Sequence, residues 1–95
     1  MLDFNYCALK LEQISELVDG IGRATGYHDP RQQSFQITCT FMYPIGARLT
    51  IDEIYSQIQE KLGADWRIKL AAEPAGEKGT LARISALFKN GRADR

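Results

Sequence analysis

Apolar residues recur near the N-terminus at alternating steps of three and four: Phe4, Cys7, Leu11, Ile14, Val18 and Ile21. That spacing draws one stripe down the side of a helix, and Ala8 and Leu17 widen it. Asp3 is suited to cap this helix, because its carboxylate can accept an orphan amide of the first turn. Gly20 and Gly22 are the expected stops, since glycine tolerates the left-handed conformation that ends many helices. Alternation of Leu2, Phe4, Tyr6 and Ala8 competes as a short strand, but the longer period favours helix.

Residues 23–33 (RATGYHDPRQQ) follow. Gly26 and the Asp29-Pro30 pair punctuate them, so they read as a loop. The period then changes to two. Phe35, Ile37, Cys39, Phe41 and Tyr43 share one side of a strand, while Gln36, Thr38, Thr40 and Met42 share the other. Pro44 closes it, because proline donates no ladder hydrogen bond. A helical period returns in Ile51, Ile54, Ile58 and Leu62, with Tyr55 beside the stripe. Thr50 and Glu53 form a capping-box signature ahead of it, and Gly63 is the expected stop.

Trp66, Ile68 and Leu70 alternate with Arg67 and Lys69 as a half-buried strand. Residues 80–89 (TLARISALFK) fit either period: Ala82, Ile84, Ala86 and Phe88 alternate, but Leu81, Ile84 and Leu87 or Phe88 also suit a helix. Their position, shortly after a strand and a glycine-flanked turn, predicts a hairpin. The resulting order is αβαββ, an α+β two-layer sandwich in which two helices cover a three-stranded sheet. The crossover through the second helix permits the first two strands to run parallel, and the last pair should be antiparallel. Residues 1–90 are expected to form one domain, with 91–95 a polar tail.

Charge changes this picture more than composition does. The chain of 95 residues is 44% hydrophobic and 25% charged, which is ordinary for a folded domain and excludes disorder. Twelve Lys and Arg balance twelve Asp and Glu. A neutral whole argues against a general polyanion binder. The halves differ, however: residues 1–60 carry four basic and eight acidic groups, residues 61–95 eight basic and four acidic. The candidate contact residues are therefore the late cations Arg67, Lys69, Lys78, Arg83, Lys89 and Arg92, with Arg95 beyond them. On the wet face of a hairpin they could neutralise phosphates; the plainer explanation is that they guard a sheet edge from aggregation. No aromatic residue of the hairpin joins that wet face, since Trp66 and Phe88 fall on the apolar one.

Gly76-Glu-Lys-Gly79 has the Gly-x-x-Gly spacing that clamps nucleic-acid backbone in KH-type domains, where it joins two helices. Here the preceding stretch alternates as a strand and contains Pro74. A hairpin turn needing positive φ at its glycines explains the same residues. A winged-helix arrangement, with residues 79–92 as the recognition segment, leaves almost no chain to build a wing.

Catalytic signals are thin. His28, the one histidine, neighbours Asp29 and Tyr27, but adjacent turn residues seldom face one another. Cys39 sits in an apolar run between threonines, where a buried thiol is the ordinary explanation. Two cysteines make neither a disulfide framework nor a four-ligand metal site, and no phosphate-loop, dinucleotide or zinc motif is present. No catalytic, cofactor or metal residue is assigned, and the expectation is a non-enzyme.

The N-terminus opens with an acid at Asp3 and lacks a signal-peptide pattern, which points to a cytoplasmic, reduced protein with no membrane partner. The leading expectation is a small regulatory or inhibitory protein that docks on a protein partner. An exposed sheet edge could pair with that partner or with a second copy, and Met42 offers an apolar contact. The alternative is nucleic-acid binding through the basic C-terminal hairpin.

Overall fold

The computed structural model describes residues 2–43 and 49–89, with the backbone alone for Lys78. Helix α1 (Phe4–Leu17) opens where its cap was expected: the Asp3 carboxylate accepts from the Tyr6 amide at 3.0 Å. Helix from Phe4 onward excludes a strand over residues 2–8, and Cys7, Ile14 and Val18 of the apolar stripe are buried. The helix ends at Val18, before either glycine, and Gly20 supplies a positive φ of 86° in the turn that follows.

Helix α2 (Ile51–Leu62) carries the full capping box. The Glu53 amide donates to the Thr50 hydroxyl at 3.1 Å, and the Thr50 amide donates to the Glu53 carboxylate at 2.8 Å. Ile54, Ile58 and Leu62 are buried beneath it, and Gly63 caps its end with φ +90°. Lys10 of α1 donates to the Lys61 carbonyl at 2.7 Å, placing a cation at the negative end of α2. The proline predicted to end the 34–43 strand, Pro44, lies outside the described residues.

Four strands, β1 (Gly22–Asp29), β2 (Ser34–Tyr43), β3 (Arg67–Pro74) and β4 (Thr80–Lys89), form one antiparallel sheet in the order β1-β2-β4-β3. The αβαββ order with three strands is therefore corrected to αββαββ with four. The strand that was missed is β1, read as loop because its helix-facing positions are Gly22, Ala24, Gly26 and His28. No large apolar side chain marks the period there. Size is what the packing demands: a Cβ at Gly26 would lie 2.6 Å from the Phe35 ring and 3.0 Å from Leu11.

The expected relation of the other strands is modified in one respect. β2 and β3 do run in the same direction, but β4 enters between them and pairs antiparallel with both. Residues 80–89 are strand throughout, so the helical alternative falls, and with it the recognition helix of a winged-helix arrangement. The Gly-x-x-Gly stretch is the hairpin turn: Gly76–Lys78 form a single 3-10 turn, with φ +69° at Gly76 and +105° at Gly79. Strand β4 follows it directly, where the KH-type arrangement requires a helix.

Both helices lie on one side of the sheet. The core between the layers joins Cys7, Ile14 and Val18 to Ile54, Ile58 and Leu62, and to Ile37, Cys39, Phe41, Ala82, Ile84 and Ala86 of the two central strands. Trp66, buried just before β3, donates its indole N–H to the Tyr6 hydroxyl at 3.0 Å and packs 5.1 Å from the Phe88 ring. Burying an indole demands a partner for its N–H, and Tyr6 supplies it. Among the described residues no helix is long and apolar enough to cross a membrane.

Candidate nucleic-acid interface

Among the described residues no helix covers the second side of the sheet, and strand register decides what it displays. Side chains alternate across a strand, so residues paired in register with an outward neighbour also face outward. Across β1, β2, β4 and β3, one outward row reads Arg23, Thr40, Arg83, Ala71. The next reads Thr25, Thr38, Ser85, Lys69, and a third reads Tyr27, Gln36, Leu87, Arg67. Lys89 closes the set opposite Ser34. With strands about 4.8 Å apart and same-face residues about 7 Å apart, the cations form an arc in which neighbours lie within about 10 Å. The arc runs Lys89, Arg67, Lys69, Arg83, Arg23, around a floor of threonine and serine hydroxyls.

The opposite layer has the opposite sign. Helices α1 and α2, with their caps and following turns, carry Asp3, Glu12, Glu16, Asp19, Asp52, Glu53, Glu60 and Asp65 against Lys10 and Lys61. A charge imbalance along a chain can cancel once the chain folds. Here it is sorted by layer, with acids on the helices and bases on the open sheet. Asp29 and Glu73 are the acids at the margins of the sheet face, and the Asp29 carboxylate is already engaged, accepting from the Arg31 amide at 3.0 Å and Gln32 at 3.4 Å.

Of the cations singled out from the sequence, Arg67, Lys69, Arg83 and Lys89 come together on this face. Lys78 lies in the hairpin turn, outside the arc, and its side chain is not among the described parts; Arg92 and the 91–95 tail lie outside the described residues. Two contributors were missed, Arg23 and Tyr27, both in β1. Tyr27 is 64% exposed and shares a row with Arg67. The aromatic group absent from the hairpin is thus provided by the opposite edge strand. Alternation of Arg23, Thr25 and Tyr27 with small residues, ahead of an Asp-Pro turn, is the signal that could have found it.

The groups weighed for catalysis are separated or masked. His28 faces the helical side, its ring edge-on to Phe4 at 4.6 Å, whereas its neighbour Tyr27 faces the other side. Burial pushes the Cys39 thiol up to about 11. The Cys7 thiol also rises to about 11, through burial first and the nearby Asp3 charge second. Both cysteines are free and buried, and neither supplies a thiolate at neutral pH. Among the described residues no three His, Cys, Asp or Glu side chains gather as a metal site.

No protein-family model, no curated protein and no solved structure matches this chain.

Proposed function

We propose that this protein binds single-stranded nucleic acid on the helix-free face of its sheet. One observation carries the reading: five cations from three of the four strands, Arg23 in β1, Arg67 and Lys69 in β3, Arg83 and Lys89 in β4, converge on a face whose opposite layer is acidic. A field divided in this way orients an approaching polyanion towards the sheet. Tyr27 offers a ring on which an unpaired base can stack, a contact worth about 1–3 kcal/mol. The threonine and serine floor supplies hydrogen bonds to phosphate or sugar without selecting a sequence. A broad sheet from which, among the described residues, no helix projects on that side favours single strands over the duplex major groove.

Docking on a protein, as a regulatory or inhibitory subunit, is the second reading. Met42, Leu81 and Leu87 support it, as half-buried apolar side chains that interrupt the polar face.

Titration of the isotope-labelled protein with a short DNA or RNA single strand tests the first reading. Amide shifts are expected on the outward positions of β1, β3 and β4 and not on α1 or α2. Tyr27→Ala should weaken binding at least about fivefold, from the stacking magnitude above, without changing the fold. Shifts confined to the helices, or none at low salt, would reject the proposal. Recovery of a protein partner from the native host that persists after nuclease treatment would favour docking.

A further inference from the structure

Strand β3 lies at the edge of the sheet, and its exposure is unusual on the side that faces the helices. Leu70, Ala72 and Pro74 point to that side, yet all three are exposed, Leu70 to 37%. The helical layer covers Ile68 and stops short of the remainder. The Ile68 carbonyl accepts from the Tyr55 hydroxyl at 3.3 Å, and beyond it an open edge with an uncovered apolar flank is a template for another strand.

The order of side chains along β3 specifies which strand. On the outward face Lys69 and Glu73 stand symmetrically about Ala71. In an antiparallel pairing of β3 with β3 of a second copy, centred on Ala71, Lys69 meets Glu73 of the second copy, and Glu73 meets its Lys69. On the other face the same register sets Leu70 against Ala72 twice. Opposite charges and apolar groups directly across an antiparallel pair both favour it. A shift by one residue would turn Leu70 towards the charged face. Beside this edge a shallow hollow of about 50 Å³ is lined by Ala71, Ala72, Glu73, Leu81 and Arg83. Two of its lining residues are alanines, and a third is Glu73, the residue that the incoming lysine meets in this register. Pro74, with no N–H to give, falls at the end of the paired segment, where it costs least.

We infer that this protein forms a two-fold homodimer through β3, joining two sheets into one of eight strands with Ala71 on the axis. The interface is isologous, as closed dimers require. Because the axis is perpendicular to the sheet, both helix-free faces lie on one side. The inference is independent of what those faces bind. The β1 edge is the poorer candidate: Gly22 and Gly26 bring no side chains to an interface, and the Asp29 carboxylate is occupied by its own turn. A ladder of seven residues a side is small for a protein interface, so the dimer is expected to exchange in the micromolar range.

Sedimentation equilibrium of the full chain across about 1–200 μM, a range that brackets the affinity expected of a small interface, tests the inference. The expected result is a transition from 10.7 kDa to twice that mass. Lys69→Glu or Glu73→Lys alone should each raise the dissociation constant on the order of tenfold, since two attractive pairs become repulsive. The two single variants, mixed, should form a heterodimer at least as tight as wild type, and the double reversal in one chain should restore self-association. Circular dichroism of each variant separates loss of pairing from loss of fold. A monomer at every concentration would overturn the inference. So would a dimer indifferent to the reversals at 69 and 73, or one disrupted instead by Arg23→Glu on the opposite edge.

Discussion

Gly22→Ala puts the assignment of β1 to a direct test. The residue faces Phe41 across the β1–β2 ladder, and it lacks the positive φ that would demand glycine for conformational reasons. A Cβ there would lie 2.6 Å from the Phe41 Cβ and 3.1 Å from its Cα, and would also press on the Thr40 carbonyl oxygen. These atoms belong to backbone or are fixed directly to it, so no rotamer change relieves the contact. The two strands must separate by roughly an ångström, with an overpacking cost of about 1–3 kcal/mol. One ladder hydrogen bond weakens as well, at about 0.5–1.5 kcal/mol. Against this, alanine reduces the entropy of the unfolded chain, a gain of about 0.4–1 kcal/mol. The net is a destabilisation of about 2 kcal/mol, or a fall in Tm on the order of 10 °C for a domain of this size. Urea and thermal unfolding followed by circular dichroism would measure it. A loop glycine with ordinary φ would show the opposite sign. A neutral or stabilising Gly22→Ala would therefore refute the pairing of β1 with β2.

Two further predictions concern what holds the layers together. Thr50→Ala removes one arm of the capping box and should cost about 1 kcal/mol in the same unfolding assay, with Thr50→Ser nearly neutral. The buried thiols make stability depend on pH at the alkaline end. Both are raised from 9.0 to about 11 in the folded chain, so the folded state holds its protons more tightly than the unfolded state. Stability is unaffected below about pH 9 and declines as pH rises from there to about 11. Replacing both cysteines by alanine should flatten that decline, and a disulfide-exchange reagent at pH 8 should label them no faster than global unfolding allows.

Much of the architecture was legible from local pattern. The α1 stripe, its Asp3 cap, the Thr50–Glu53 box and the alternation of β2 each depend on residues within a turn or two of one another. The hairpin of β3 and β4 was legible because its turn carries two glycines that both adopt positive φ. β1 was not, because its inner positions are Gly22, Ala24, Gly26 and His28, the two glycines being held close to β2 and, at Gly26, to Leu11 of α1, and such a strand leaves no hydrophobic period. The arrangement of the cations was hidden for a different reason. Lys89 is brought opposite Ser34 by pairing across most of the chain, and nothing local states that β4 enters between β2 and β3. The sorting of charge by layer follows from that insertion, and so does the company that Tyr27 keeps with Arg67.

The salt dependence of binding reports how many phosphates the open face of the sheet neutralises. Five cations contacting the phosphates of a single strand predict a slope of about −3.5 in the logarithm of the association constant against the logarithm of salt concentration. Affinity for a labelled oligonucleotide, read by fluorescence anisotropy, should then fall about a hundredfold between 50 and 200 mM salt. Replacing Arg67, Lys69 and Arg83 together by alanine should leave a slope of about −1.4 and a fall of less than tenfold. A slope unchanged by the triple replacement, or no binding at the lowest salt, would contradict the assignment of this face to nucleic acid.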